Sequence, residues 1–265
     1  MQLHFQKMQG AGNKITIVDQ RVADAVVPDE AVLQALRDAV PDDPFDQLMW
    51  LSMPRDPSSA VAYRVFNLDG SEVEQCGNGA RCVAVLLASQ DDVPRNFCME
   101  SPAGPVRARV ADGRTASIDM GPPVFDDSHA SLVVDGMDLA VGLVSMGNPH
   151  CVLDVDDVNT AAVERLGPAL ERHELFPART NVGFMQIVDR ENIRLRVFER
   201  GVGETLACGT GACAAAALGM RRGQLDDEVN VHLPGGQLMV SWPGADASVW
   251  LTGDVEFISE GTIDL

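Results

Sequence analysis

Two cysteines of this sequence each stand directly before a glycine-rich turn that opens onto an apolar segment. Cys76 lies in QCGNGARCVAVLLA (75–88), and Cys208 lies in LACGTGACAAAALG (206–219). A thiol at the first turn of a helix feels the partial positive charge of unpaired backbone N–H groups, which favours the thiolate. The glycines that follow let those N–H groups approach a small anion such as a carboxylate. Both segments therefore predict a helix start that combines acid–base sulfur with anion binding.

Two such helix starts suit proton removal from a carbon atom next to a carboxylate. Deprotonation there places more negative charge on the carboxylate oxygens, and backbone donors aimed at those oxygens stabilise it. A cysteine at a helix start is also a suitable general acid or base near neutral pH. With one thiolate base and one thiol acid on opposite faces of the carbon, the predicted reaction is an epimerisation or racemisation.

The cysteine segments belong to a longer internal repeat. The stretch YRVFNLDGSEVEQCGNGARC (63–82) matches LRVFERGVGETLACGTGAC (195–213), and the two cysteines are 132 residues apart. Upstream, GNKITIVD (12–19) matches GNPHCVLD (147–154) at an offset of 135 residues. Two matches at almost the same offset indicate a duplicated domain.

Each half has β-rich segments followed by a glycine-rich turn and an apolar helix. Because both helices are apolar on nearly all sides, each should be buried within its own strands. We predict a mixed α/β (α+β) fold of two pseudosymmetric halves, each a curved sheet wrapped around a central helix, with an active-site cleft between them. The predicted halves are 1–120 and 121–255, with a proline-containing hinge in 119–127 and with 256–265 as a candidate addition to the first half.

Composition narrows the class of partner. The formal net charge of −19 argues against nucleic acid and against anionic membranes, both of which favour clustered Lys and Arg. No apolar run approaches the roughly 18 residues of a membrane helix, and the first residues show no secretory signal. We therefore expect a cytoplasmic protein that acts on a small molecule.

Neither a metal nor an organic cofactor is expected. The six cysteines fit neither zinc-ligand spacing nor the disulfide framework of a short secreted chain. Pyridoxal phosphate needs a Schiff-base lysine, and the only lysines, Lys7 and Lys14, have no phosphate loop beside them. The segment GAGN (10–13) does not complete a dinucleotide-binding motif.

The remaining chemistry-bearing residues of the repeat have structural interpretations. Cys82 and Cys213 lie within the helices and are expected to be buried small hydrophobes. Glu72 and Glu204 precede the helix starts, where a carboxylate would interact favourably with the helix dipole.

Together these motifs resemble the diaminopimelate epimerase family, cofactor-independent enzymes of lysine and peptidoglycan precursor synthesis. The resemblance runs through most of the chain, and the two cysteine motifs together are highly specific. The matching segments are GAGN (10–13), FDQ (45–47), NLDGSEVEQCGNGARC (67–82), GNPH (147–150), RTNVGF (179–184) and ERGVGETLACGTGAC (199–213).

The resemblance implies a role for each matching residue. It makes Cys76 and Cys208 the two acid–base residues and gives His150 and Glu199 a part in tuning ionisation or orienting substrate. Backbone cradles for the reacting carboxylate would be Gly77, Asn78, Gly209 and Thr210. The implied contacts to the amino and carboxylate groups of the substrate are Asn13, Gln47, Asn67, Asn148, Asn181, Glu199 and Arg200.

Two alternative functions stay open at this point. The first is a cofactor-free racemase or epimerase of another amino acid, similar to proline racemase. The second is a thiol redox or amino-acid-binding protein, against which the absence of a Cys-x-x-Cys motif speaks.

The resemblance also implies a homodimer. Ser259, which stands where some family members have an aromatic residue, weakens that expectation.

Overall fold

The structure is a computed structural model that describes residues 2–22, 28–39, 45–73, 76–90, 93–128 and 131–264. Its strands are β1 Gln2–Gly10, β2 Asn13–Asp19, β3 Gln47–Ser52, β4 Ser59–Asn67, β5 Glu72–Val73, β6 Asn96–Ser101, β7 Gly104–Val110, β8 Thr115–Asp119, β9 Val124–Asp126, β10 Ser131–Val134, β11 Met137–Ala140, β12 Gly142–Ser145, β13 Pro149–Asp154, β14 Asn181–Ile187, β15 Asn192–Glu199, β16 Gly203–Thr205, β17 Glu228–Leu233, β18 Gly236–Ser241, β19 Trp250–Asp254 and β20 Glu256–Asp264. Its helices are α1 Glu30–Ala39, α2 Gly77–Ala88, α3 Val163–Glu171 and α4 Gly209–Arg221. None of the helices within the described ranges has the length and hydrophobicity that a membrane crossing requires.

The chain divides into two compact units. Unit 1 comprises Met1–Ile118 and Gly253–Leu265, so its last strand comes from the end of the chain. Unit 2 comprises Asp119–Thr252. Each unit has its own apolar core, one around Leu36 and Phe45 and the other around Leu170 and Phe184.

Unit 1 builds its sheet from strands that alternate buried and exposed side chains, as in β1 with Leu3 and Phe5 buried. β1 and β2 pair antiparallel, β2 and β3 parallel, and β3 and β4 antiparallel. β4 then pairs parallel with β6, which continues antiparallel into β7 and β8. The short β5 folds back on β4, and β20 adds to the free side of β1.

Unit 2 repeats this topology and adds a separate two-stranded sheet of β10 and β11. β12 and β13 are antiparallel, β13 and β14 parallel, and β14 and β15 antiparallel. β15 pairs parallel with β17, which continues antiparallel into β18 and β19, and the short β16 folds back on β15. The identical order and direction of strands confirm the predicted mixed α/β fold with two pseudosymmetric halves.

A buried central helix lies in each unit, as the apolar sequences predict. In α2 the residues from Gly77 to Val85 are all buried, and in α4 the buried residues include the alanine run 214–217. α2 contacts β1, β2, β3 and β7, while α4 contacts β12, β13, β14, β15, β17 and β18. Cys82 and Cys213 are fully buried within these helices, which confirms their interpretation as core residues.

The helices α1 and α3 are absent from the sequence prediction. α3 carries Gly167 and Pro168 in its interior, two residues that favour a helix break. Packing overrides that preference, because Gly167 lies directly against the ring of Phe198, where a Cβ atom would approach a ring carbon to 2.6 Å.

Candidate active site

Cys76 is the N-cap residue of α2, as the sequence predicts. Its backbone is extended, with φ −136° and ψ 109°, and its carbonyl oxygen accepts from Ala80 N at 2.8 Å. Its Sγ accepts from Gly79 N at 3.2 Å, and 3.9 Å separate Sγ from Oδ1 of Asn13. The partly buried sulfur therefore sits where the first N–H groups of a helix point, next to one of the predicted substrate contacts.

Asn13 is held at the start of β2 by an aspartate. Asn13 Nδ2 donates to Oδ2 of Asp46 at 3.1 Å, and the same oxygen accepts from Lys14 N at 2.7 Å. Asp46 N in turn donates to the Lys14 carbonyl at 2.8 Å. Asp46 belongs to the FDQ motif, yet the sequence argument singled out only Gln47 there, so this contact of Asn13 was missed.

The two other predicted amides of unit 1 contact each other. Gln47 and Asn67 are cross-strand neighbours in the β3–β4 pairing, and Gln47 Nε2 donates to Asn67 Oδ1 at 3.2 Å. Asn67 Nδ2 donates to Ser71 Oγ at 3.1 Å across the turn between β4 and β5. Because Gln47 also pairs with Ile15 of β2, both amides lie close in the sheet to the start of the strand that carries Asn13.

The first turn of α2 has little room. Asn78 is buried, and its Oδ1 accepts from Arg81 Nη2 at 2.9 Å, so its side chain serves the packing of the helix. At Gly79 a Cβ atom would lie 2.5 Å from Sδ of Met49, which is itself fully buried. Glycine at 79 therefore allows β3 to approach the helix start that carries Cys76.

Cys208 is the matching N-cap residue of α4, with φ −124° and ψ 111°. It is more buried than Cys76, and its Sγ lies 3.6 Å from Oγ1 of Thr210. Burial raises the pKa of the Cys208 thiol well above its usual range, and the adjacent Glu199 carboxylate raises it further. The expected preference for thiolate at a helix start is therefore wrong for Cys208 in this state, because desolvation and a like charge outweigh the donors of Thr210 and Gly211.

A chain of polar contacts leads from Cys208 to His150. Asn148 Nδ2 donates to Oγ1 of Thr210 at 3.3 Å, and Asn148 Oδ1 lies 3.0 Å from Nε2 of His150. Burial lowers the pKa of His150 to about 3, with a further contribution from Arg200, so the ring is neutral at physiological pH. A neutral ring that faces a carbonyl oxygen through Nε2 carries its proton on Nε2.

Glu199 is a nearly buried carboxylate beside Cys208. Thr205 Oγ1 donates to Glu199 Oε1, a contact that the sequence argument did not foresee. Burial raises the pKa of Glu199, while hydrogen bonds from Thr205 and Cys208 oppose that shift. Burial therefore raises the pKa of both the Glu199 carboxyl group and the Cys208 thiol.

Asn181 and Arg200 form the other polar pair of unit 2. Asn181 Oδ1 accepts from Arg200 N at 3.0 Å, and Asn181 Nδ2 donates to the carbonyl oxygen of Pro149 at 3.2 Å. His150 and Asn181 are neighbours in the parallel β13–β14 pairing. The exposed Arg200 guanidinium reaches Ala178 O at 3.4 Å.

Among the predicted substrate contacts, Asn13 therefore lies beside Cys76, and Thr210 and Glu199 lie beside Cys208. The pairs Gln47–Asn67 and Asn181–Arg200 contact each other. Glu72 and Glu204 differ from expectation, because they lie in β5 and β16 and pair with Arg64 and Arg196. They hold the return strands that precede the cysteines and do not cap the helices.

Metal ligation finds no support in the described parts of the chain, which contain no group of three or more His, Cys, Asp or Glu residues able to hold an ion. The six cysteines, all of them described, are thiols and form no disulfide. Burial raises the pKa of Cys82 and of Cys151 to about 12 in each case, so these two thiols are unreactive near neutral pH.

Solved structures share this fold. A hydroxyproline epimerase from Agrobacterium vitis aligns with a TM-score of 0.73 at 17% identity, covering 99% of this chain and 92% of that one. A PhzF-family phenazine biosynthesis protein from Bacillus anthracis aligns with a TM-score of 0.72 at 15% identity over the full length of both chains. The chain therefore shares its fold with this hydroxyproline epimerase and with this PhzF-family protein.

Sequence relatives narrow this class. The family model of diaminopimelate epimerase matches residues 5–125 and 142–258. Diaminopimelate epimerases from Alkalilimnicola ehrlichii and Nitrosomonas europaea are each 44% identical to this chain, over 100% of both sequences. The chain belongs to the diaminopimelate epimerase family and is an isomerase.

Proposed function

We propose that this protein interconverts LL- and meso-2,6-diaminopimelate in lysine biosynthesis, without a cofactor, with Cys76 and Cys208 as the two acid–base groups. The observation that carries the proposal is the duplicated helix start: each unit presents one sulfur as the N-cap of a buried helix. Full-length identity of 44% to enzymes of that name supports the substrate.

The proposed reaction inverts one α-carbon in a balanced pair of proton transfers. One sulfur, as thiolate, takes the α-proton and becomes a thiol. The other sulfur, as thiol, delivers a proton to the opposite face and becomes a thiolate. Charge that develops on the α-carboxylate is stabilised by backbone N–H groups of Gly77 and Asn78 and of Gly209 and Thr210, which lie in helix first turns whose N–H groups lack intrahelical acceptors.

The neighbours of Cys208 explain how its ionisation could depend on the substrate. Without a ligand, burial and Glu199 keep the pKa of Cys208 high. An α-ammonium group that binds Glu199 would cancel the like charge that faces the sulfur. Pairing of Glu199 with the ammonium group therefore removes the second cause of the raised Cys208 pKa, while burial, the largest cause, remains.

The amide-rich lining supports a substrate that carries an amino-acid group at each end. Asn13, Gln47 and Asn67 in one unit offer both donors and acceptors without net charge. In the other unit Asn181 and Arg200 offer donors to a carboxylate, and Glu199 offers an acceptor to an ammonium group.

The decisive assay measures LL-to-meso conversion by purified enzyme with a reductant and no added cofactor. The expected result is turnover by the wild type and none by Cys76→Ala or Cys208→Ala. Cys82→Ala is the matched control, because it removes a buried thiol six residues further along the chain, in the same helix. Epimerase turnover retained by either active-site variant would remove the two-base mechanism.

The rival functions predict different results in the same assay. A racemase of another amino acid would act on proline or hydroxyproline in a substrate panel and leave diaminopimelate unchanged. A thiol redox or binding protein would cycle a disulfide or bind ligand without α-proton exchange.

Compartment and assembly complete the proposal. A mechanism that needs two reduced thiols fits the cytoplasm, where glutathione and thioredoxin keep cysteines reduced.

A homodimer is supported by Phe257 and Ile258, adjacent apolar side chains that β20 leaves exposed. Light scattering on the wild type and on Phe257→Ser tests it, with a shift from dimer to monomer expected.

A further inference from the structure

Glu171, the last residue of α3, is a buried carboxylate in an unfavourable place. Its side chain is only 2% exposed. At a helix C-terminus a negative charge is repelled by the last backbone carbonyl groups, and burial adds a desolvation cost. Such a residue is tolerated only where its contacts offset both costs.

Those contacts converge on the two segments that carry Asn181 and Arg200. Glu171 Oε1 accepts from Gly201 N at 2.7 Å, in the turn between β15 and β16. Its backbone carbonyl accepts from Thr180 N at 3.2 Å, immediately before β14. Glu171 therefore binds Thr180, which precedes Asn181, and Gly201, which follows Arg200.

Other bonds join the same two segments directly. Asn181 Oδ1 accepts from Arg200 N at 3.0 Å, and the Arg200 side chain reaches Ala178 O at 3.4 Å. Gly201 has φ of +76°, a conformation that glycine adopts without strain, so its N–H can face Glu171 while Arg200 extends outward. Glu171 thus fixes the turn that directs the guanidinium.

Pairing with arginines is a weaker explanation for this carboxylate. Arg179 Nη1 lies 3.5 Å from Oε1, and Arg172 Nε lies 3.4 Å from Oε2. Both guanidinium groups are more than half exposed, and both contacts are longer than the 2.7 Å bond from Gly201 N. The hydrogen bond from Gly201 N to the buried Glu171 carboxylate is shorter and charge-assisted, so it is the stronger contact.

We propose that Glu171 is a positioning residue, which holds the 199–203 turn so that Arg200 and Asn181 meet the substrate in a fixed geometry. This inference rests on the proposed function. Arg200 and Asn181 contact the substrate and take no part in proton transfer, so loss of their alignment weakens binding of the substrate and of the transition state alike. The signature is a raised KM with kcat almost unchanged.

The test compares three substitutions at one position with a neighbouring control. Glu171→Ala, which leaves Gly201 N without its acceptor, should raise KM for diaminopimelate about tenfold and leave kcat within about twofold. Glu171→Gln keeps an oxygen acceptor for Gly201 N and should raise KM by less than about threefold. Arg172→Ala, which removes only an exposed charge partner, should leave KM unchanged. Glu171→Met fills the volume of the glutamate side chain but offers Gly201 N no acceptor, so it should raise KM as much as Glu171→Ala does.

A double-mutant cycle shows whether Glu171 acts through Arg200. If it does, Glu171→Ala should raise KM much less in an Arg200→Ala background than in the wild type. Fully additive effects would overturn the proposal, as would a fall in kcat at unchanged KM. Failure of both Glu171→Ala and Glu171→Met to fold, with Glu171→Gln intact, would make this residue a folding determinant and overturn it too. A wild type without epimerase activity would instead defeat the proposed function.

Discussion

Replacing Thr210 by valine removes the one side-chain hydroxyl that contacts Cys208 Sγ within the described structure, while the shape of the side chain is kept. The hydroxyl accepts from Asn148 Nδ2, so its own proton is available to the sulfur at 3.6 Å. A hydrogen bond donated to a thiolate stabilises the charged form, and its loss raises the pKa of that thiol. The direction of the shift is therefore upward.

The magnitude follows from the geometry around Cys208. Hydrogen bonds to charged groups contribute about 1.5–3 kcal/mol, and the long contact between Sγ and Oγ1 places this one at the lower end. Since 1.36 kcal/mol corresponds to one pKa unit, we expect a rise of about one unit. Below the pKa, the thiolate fraction then falls about tenfold.

The assay is the pH dependence of kcat/KM in both directions. We expect the limb of the Thr210→Val profile that reports Cys208 to move to higher pH by about one unit; because the pKa of Cys208 is high, this is the descending limb. The profiles in the two directions should move together, because their ratio is the equilibrium constant. Thr210→Ser keeps the hydroxyl and serves as the control, which should resemble the wild type. If the valine and serine profiles superimpose, the hydroxyl does not act on the sulfur and the reasoning about Cys208 is refuted.

Three further predictions concern packing, thiol reactivity and acid stability. Gly79→Ala should lower the free energy of unfolding by about 1–3 kcal/mol in urea titration, because its Cβ would meet Met49 Sδ at 2.5 Å, and an unchanged midpoint would contradict the tight approach. Iodoacetamide at pH 8 should label Cys76 and leave Cys82 unmodified, since burial raises the pKa of Cys82 to about 12; peptide mass spectrometry gives the answer, and equal labelling would contradict it. His150 has a pKa lowered from 6.5 to about 3, so the unfolded chain binds a proton that the folded chain does not, and stability falls as the pH drops below 6.5. Between pH 6.5 and pH 5 the free energy of unfolding should fall by up to about 2 kcal/mol through this protonation. His150→Gln should lack that part of the pH dependence when unfolding is measured at both pH values.

The positions of the cysteines followed from sequence because local rules fix them. Each cysteine stands directly before a Gly-x-Gly turn and an apolar run, which predicts a helix start, and each is the N-cap residue of its helix. The internal repeat likewise predicted equal halves, since residues that match in sequence adopt the same strand and helix order. Local signals and tertiary packing agree at these points.

Other features depend on tertiary contacts that no local pattern encodes. The preference of a helix start for thiolate did not predict the high pKa of Cys208, because burial and Glu199 come from distant parts of the chain. The contacts of Asp46 with Asn13 and of Glu171 with Gly201 join segments about 30 residues apart. Only the folded sheets bring them within hydrogen-bond distance.

The isotope content of substrate and product at early conversion tests the two-sulfur mechanism most directly. LL-diaminopimelate is incubated with enzyme in deuterium oxide, the stereoisomers are separated, and the deuterium content of each is measured by mass spectrometry. Two opposed acid–base groups predict meso product with one α-deuterium, while the recovered LL substrate stays protiated, because the proton is removed by one sulfur and the deuteron is delivered by the other. Meso product that retains its original α-proton would show a single group moving one proton between faces and would contradict the account.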